Sequence, residues 1–104
     1  MKRTLLALGL MGLLGAGCAP VSSSLGIREA TIALSAATTA GAKDSAVYEY
    51  TAAREYLKKA REENAYADYA AARLFAEKAL ILARDARTKA ELAARIDAPP
   101  PAGQ

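Results

Sequence analysis

Small and apolar residues recur at helical spacing along most of the chain, and residues 25–95 contain no proline. Alanine, the strongest helix former, dominates this stretch, and β-branched residues never alternate with polar ones as in a strand. The pattern predicts three helices, at residues 25–40, 46–63 and 69–95. The chain is therefore expected to be all-α.

Each predicted helix has one face of small or apolar residues and recognisable end signals. Ser24 is expected to cap the first helix and Gly41 to end it. Asp44 or Ser45 is expected to cap the second helix, and Asp68 the third. The inward faces are Ile27, Ala30, Leu34 and Ala37, then Ala46, Tyr50, Ala53, Leu57 and Ala60, and then the alanine seam of Ala72, Ala76, Ala79, Ala83, Ala86 and Ala90.

Only residues 64–67 separate the second helix from the third, so these two helices are expected to be antiparallel neighbours. The predicted architecture is a small antiparallel helical hairpin or three-helix bundle. Three ion pairs are expected between residues four positions apart on exposed faces. They are Glu55 with Lys59, Asp85 with Lys89, and Glu91 with Arg95.

The third helix carries a second apolar row, made of Leu74, Ile81 and Leu92. At 100° per residue these side chains project within about 20° of one another, roughly opposite the alanine seam. Two neighbouring helices on the seam side cannot cover this row. It is therefore a candidate surface for binding a partner, the alternative being three leucine and isoleucine side chains that are simply tolerated on the surface.

All the aromatic residues lie between positions 48 and 75. Tyr48 projects with the polar residues of its helix and is the aromatic candidate for an external contact. Four further aromatic residues have two open interpretations. Either they lock the helical hairpin, or they form a stacking platform for glycan rings. They are Tyr50, Tyr56, Tyr69 and Phe75.

Residues 1–17 have the layout of a bacterial export signal. Lys2 and Arg3 precede an apolar run at residues 5–14, which is too short to span a bilayer, and small residues follow at positions 15–17. This ending resembles a lipobox, although Leu14 stands one position further from the cysteine than the usual pattern has it. The resemblance implies cleavage between Gly17 and Cys18.

The lipobox resemblance also implies acyl chains on Cys18, and two or more chains anchor a protein stably. There are two alternatives. One is an ordinary secretory signal, whose cleavage leaves a free thiol, and the other is a membrane anchor that is retained. Ala19, rather than aspartate, follows the cysteine, and for a lipoprotein this implies an outer-membrane, periplasm-facing location, with surface exposure still open. Residues 18–24 are then a short lipidated tether.

Composition narrows the possible functions of the 25–96 domain. Loss of Lys2 and Arg3 reduces 14 basic residues to 12, against 11 acidic ones, which argues against nucleic-acid binding. With no histidine and one cysteine, the chain lacks the usual metal ligands and nucleophile–base pairs. We therefore expect no enzymatic activity and no cofactor other than a covalent lipid on Cys18. Residues 97–104, rich in proline, are expected to be a disordered tail.

Residues 67–80 resemble the second helix of a tetratricopeptide repeat, with Tyr56 and Ala60 where its first helix carries packing residues. The whole layout is similar to a family of short, alanine-rich envelope lipoproteins of unknown function, whose domain precedes peptidoglycan-binding domains of the outer-membrane-protein-A type in larger relatives. Here no such domain follows residue 95, and the last residue is Gln104 rather than a wall-linked lysine. Peptidoglycan contact therefore has no known attachment motif to support it.

These observations favour a non-enzymatic, membrane-anchored envelope lipoprotein with a structural or adaptor role. Its partner would be another envelope protein or a second copy of the chain. The alternative is a periplasmic binding module for glycan strands or for a small apolar ligand held in a groove between helices.

Overall fold

The computed structural model describes the backbone of residues 18–103 and the side chains from residue 20 onwards. This part of the chain is all-α and contains no strand. Its helices are α1 (Cys18–Thr39), α2 (Ala42–Ser45), α3 (Val47–Ala65) and α4 (Tyr69–Asp97). The predicted signal at residues 1–17, and Gly17 of the predicted cleavage site, lie outside the described residues.

Helix α1 begins at Cys18 rather than at the predicted residue 25, so it includes residues 18–24, the segment that was expected to be a tether. Pro20 lies in the first turn of the described helix, where its missing N–H breaks no helical hydrogen bond. The buried Ser23 hydroxyl lies 3.0 Å from the Pro20 carbonyl oxygen and 2.7 Å from Oδ1 of Asn64. This contact holds the start of α1 against the end of α3, and Ser24 is inside the helix rather than at its cap.

The connection from α1 to α3 agrees with the prediction at Gly41 and differs from it in the residues that follow. Gly41 follows α1 with a left-handed φ of 88°, as expected for a glycine that ends a helix. The single-turn helix α2 comes next and was not predicted. Neither Asp44 nor Ser45 caps α3: the cap position is Ala46, which has no side-chain hydrogen bond to offer. The Ser45 hydroxyl donates instead to the Gly41 carbonyl oxygen, at 2.9 Å.

The turn between α3 and α4 follows the prediction closely. Helix α3 continues to Ala65, and Ala67 adopts a left-handed φ of 62° within the turn. The Asp68 side chain accepts a hydrogen bond from the Ala71 N–H at 3.2 Å, which confirms it as the cap of α4. Helix α4 ends at Asp97, and the following residues to Gly103 are not helical.

The helices run up, down and up. Thr38 and Tyr50 are joined by hydroxyl groups 3.2 Å apart, while Ser23 meets Asn64, so α1 and α3 are antiparallel. The short turn makes α3 and α4 antiparallel as well. Helices α1 and α4 are therefore parallel and very close: a Cβ on Gly26 would lie 3.4 Å from the Cβ of Ala76.

The core is built from alanines, as the spacing predicted. All six residues of the alanine seam are buried, and small side chains of α1 and α3 pack against them. Leu57 is the only large apolar side chain that is fully buried within residues 20–103. Small residues at a helix contact permit close approach of the axes. The bundle is therefore narrow, and its core holds little apolar volume.

None of the three predicted ion pairs forms in the structure. Lys59 pairs with Glu63 at 3.0 Å and with Glu62 at 3.7 Å, not with Glu55. Glu91 pairs with Arg87 at 2.7 Å. Lys89 crosses to another helix and donates to Glu49 of α3 instead of to Asp85.

Candidate interaction surface

Large aliphatic side chains lie mainly on the outside of this bundle. Within residues 20–103, twelve of the thirteen buried apolar residues are alanines, while eight leucine, isoleucine and valine side chains are more than half exposed. This distribution is the reverse of an ordinary core. The exposed side chains are Val21, Leu25, Ile32, Val47, Leu74, Ile81, Leu92 and Ile96.

The longest exposed series follows α4. Leu74, Ile81 and Leu92 are 55%, 60% and 55% exposed, so neither α1 nor α3 covers them, as their spacing predicted. Ile96, which is 74% exposed, projects within about 40° of Leu74 and extends the series. We call these four residues the α4 row. The row runs for about 33 Å at 1.5 Å per residue.

Two charged residues interrupt the α4 row on either side of Ile81. Lys78 leans toward α3, where its ammonium lies 5.4 Å from the centre of the Tyr56 ring and 6.0 Å from that of Phe75. Asp85 has no ion-pair partner among the described residues. The row therefore carries a negative charge at Asp85, while the positive charge of Lys78 lies at its edge, beside the Tyr56 and Phe75 rings.

Tyr48 is 75% exposed on α3, as its position among polar residues predicted. It projects away from the core of its own helix and lies beside Val47 and Thr51. The α4 row belongs to another helix, so the structure does not bring Tyr48 together with the leucine and isoleucine residues of that row.

The remaining aromatic residues join helices to one another. The rings of Tyr56 and Phe75 stack between α3 and α4, with centroids 6.1 Å apart and planes inclined by 23°. The Tyr50 hydroxyl meets Thr38 of α1. All three rings are half-buried, as is that of Tyr69. These contacts favour the hairpin-locking interpretation over an exposed platform for glycan rings.

A shallow groove of about 280 Å³ lies between α1 and α4. Sequence reasoning did not locate it, because it depends on how two parallel helices are spaced. Its floor is apolar and its rim is charged. Its lining residues are Glu29, Ile32, Ala33, Ala36, Leu80, Arg84 and Arg87.

The electrostatics of the described residues are those of surface ion pairs. The hydrogen bond from Lys89 lowers the pKa of Glu49 below its ordinary value of 4.5. The hydrogen bond to Glu63 raises the pKa of Lys59 above its ordinary value of 10.5. The Glu49–Lys89 pair joins α3 to α4, and the Lys59–Glu63 pair joins successive turns of α3. Both pairs therefore contribute to the stability of the fold.

Residues 18–103 contain neither a metal-binding cluster of acidic or cysteine side chains nor a membrane-spanning helix. No group of three or more cysteine, aspartate or glutamate side chains comes together there in a way that could hold a metal ion. Nor does any helix in that range combine the length and apolar content needed to cross a bilayer.

Comparison of the chain with known protein families, with curated proteins and with solved structures finds no match.

Proposed function

We propose that this protein is a non-enzymatic envelope lipoprotein whose helical bundle acts through protein–protein contacts as a structural or adaptor element. The observation that carries the proposal is the α4 row, which places Leu74, Ile81, Leu92 and Ile96 in solvent while alanines fill the core. The tetratricopeptide-like character of the α3–α4 hairpin belongs to the same proposal, since such hairpins serve as contact surfaces.

Burial of the α4 row by a partner would contribute stabilising free energy that the single chain does not gain, because these side chains are exposed in it. Full burial of a leucine or isoleucine side chain contributes about 1.5–3 kcal/mol relative to exposure. An alanine offers far less apolar surface, so a core of this composition is a weak source of stability for so small a domain. A partner that covers the row would therefore stabilise the fold as it binds.

The membrane anchor in this proposal rests on the sequence from Met1 to Cys18. A basic start, an apolar run and small residues before a cysteine together support acylation of Cys18, and Ala19 supports an outer-membrane, periplasm-facing location. Because residues 18–24 are helical rather than a flexible tether, the lipid would attach directly to the end of α1. The bundle would then lie against the lipid surface.

Replacing the anchor residue tests this part of the proposal. We expect Cys18→Ser to move the protein from the membrane pellet to the soluble fraction, because the acyl chains would have no sulfur to join. Metabolic labelling with a fatty acid should mark the unaltered protein and not the variant. A matched Ser22→Ala variant should stay in the pellet. Retention of an unlabelled Cys18→Ser protein in the membrane would refute the lipid anchor.

The groove between α1 and α4 favours a second candidate, a binding module for a small apolar ligand. Ala33 and Ala36 form part of its apolar floor, and Arg84 and Glu29 stand at its rim. Ala33→Leu would fill the groove and leave the α4 row unchanged. If an apolar fluorescent probe bound the unaltered protein and Ile81→Lys but not Ala33→Leu, the groove would be supported as a ligand site separate from the row.

A further inference from the structure

We propose that a second copy of this chain docks on the α4 row, with the two α4 helices antiparallel about a two-fold axis near Ile81. This inference rests on the proposed protein-contact function and names its partner. The exposed aliphatic side chains show that the row is unpartnered in the single chain. The pattern of charge along the row selects a second copy and its direction.

The charged residues on either side of Ile81 have opposite signs, so a two-fold axis at Ile81 brings unlike charges of two copies together. Lys78 stands three residues before Ile81 and Asp85 four residues after it. Both project within about 40° of Leu74 and Leu92, and within about 60° of Ile81. An antiparallel arrangement places Lys78 of each copy close to the level of Asp85 of the other copy. Two ion pairs form across the axis once each Lys78 ammonium turns from the Tyr56 and Phe75 rings toward the partner. A parallel arrangement places like charges together at both positions, which is unfavourable.

The apolar side chains fit the same arrangement. Ile81 of one copy meets Ile81 of the other at the axis. Leu74 of each copy then lies level with Thr88 of the other, and Leu92 lies level with Ala70. An isologous contact of this kind uses one surface twice and closes at two copies, so it does not propagate into a filament.

The contact is small, and this determines where it can form. A helix segment about 28 Å long and 10 Å wide presents roughly 300 Å² per copy, well below the roughly 800 Å² per partner of a stable interface. Two free copies would associate weakly. Copies confined to one membrane surface have a high effective concentration, which compensates for a weak contact.

The axis also defines how an anchored pair would lie. Because α1 is parallel to α4, the two-fold axis puts the Cys18 ends of the two copies at opposite ends of the pair. Gly26 stands level with Ala76, so these ends lie about 40 Å apart along the helices. With both lipids in one bilayer, the bundles would lie along the membrane surface.

Cysteine cross-linking in cells tests the contact. Two full-length chains with different C-terminal tags would be co-expressed, each carrying Ile81→Cys, and envelope proteins would be separated without reductant. We expect a disulfide-linked species that carries both tags. Tyr48→Cys is the matched control, since Tyr48 is also exposed but lies off the row, and it should give no such species above the level of the unaltered chain.

Charge reversal tests the direction, with Ile81→Cys present in every chain. Either Lys78→Asp or Asp85→Lys, alone in both copies, should lower the cross-linked yield about five- to thirty-fold, since two attractive pairs become repulsive. Mixing one chain of each kind should restore the yield, because opposite charges again face each other. Lys58→Asp, an exposed lysine on α3, is the control and should leave the yield unchanged.

Three results would overturn the inference. One is an Ile81→Cys yield no greater than that of Tyr48→Cys. Another is a mixed pair that cross-links no better than the two single variants, which excludes the antiparallel arrangement. The third is an adduct of Ile81→Cys with a different protein only, which leaves the proposed function standing and removes the second copy as its partner.

Discussion

Two glycines serve this bundle in different ways. Gly26 lies inside α1, where the helix faces Ala76 of α4, while Gly41 adopts a left-handed backbone after α1 ends. A left-handed conformation is costly for any residue with a Cβ. The glycine at position 41 is therefore required by the backbone, whereas the one at position 26 is not.

We expect Gly26→Ala to stabilise the fold by about 0.5–1 kcal/mol, because glycine in a helix interior loses more conformational entropy on folding than alanine. The new Cβ would be 3.4 Å from that of Ala76, an ordinary contact. Gly41→Ala should destabilise the fold by about 1–2 kcal/mol. Urea unfolding of both variants checks the pair, and a loss of stability in Gly26→Ala would mean that α1 and α4 have no room to separate slightly.

At the scale of elements, the alanine seam sets the distance between helices. Ala76 is fully buried and faces Gly26 of α1. A leucine at this position would need space that two small residues do not leave. The contact between α1 and α4 thus depends on the size of one side chain.

Ala76→Leu should therefore destabilise the bundle by about 1–3 kcal/mol through overpacking. Ala79→Leu should act similarly against Leu57, which packs in the same cluster. Ala70→Leu, at an exposed position of α4, is the matched control and should be close to neutral. Thermal melts compare the three, and a seam variant as stable as the control would contradict the tight packing seen here.

The ion pair between Glu49 and Lys89 joins α3 to α4 and makes stability depend on pH. The pKa of Glu49 is lowered from 4.5 in the folded chain by the hydrogen bond from Lys89. A lowered carboxylate pKa stabilises the fold above pH 4.5, and this stabilisation is lost as pH falls through the folded-state pKa. The contribution of this ion pair to the free energy of unfolding is therefore lost at acidic pH.

Glu49→Gln should lower the melting temperature at neutral pH, and the difference from the unaltered protein should shrink as the pH falls from 4.5 through the lowered folded-state pKa of Glu49. Glu55→Gln is the control, since Glu55 has no ion pair among the described residues. A difference for Glu49→Gln that stayed constant across this range would show that the pair does not stabilise the fold.

For the whole molecule, fold and association are expected to depend on different faces of α4. Ile81 is 60% exposed, so Ile81→Lys should leave helical content and thermal unfolding of the single chain within about 0.5 kcal/mol of the unaltered protein. The same variant should lose association through the α4 row. Circular dichroism of the purified protein checks the first expectation, and chemical cross-linking of the membrane-anchored protein in cells checks the second. An unfolded Ile81→Lys variant would place Ile81 in the core instead.

The sequence by itself determined most of the three long helices and their inward faces, but not the start of α1 or the single-turn helix α2. Alanine content, a 3.6-residue period and a side-chain cap are local properties, so Asp68, Gly41 and the alanine seam could be assigned from residues only a few positions apart. The exposure of Leu74, Ile81 and Leu92 followed from the same geometry, because a face opposite the seam cannot meet two neighbours on the seam side.

Only the tertiary structure decided which distant groups meet. Ser23 is buried because Asn64 lies across from it, and this contact accompanies a helix where local composition favoured a tether. Lys89 has Asp85 within reach on its own helix but pairs with Glu49, since long side chains reach a neighbouring helix as readily as the next turn. The groove between α1 and α4 has the same origin, because its lining side chains come from two helices that are far apart in the chain.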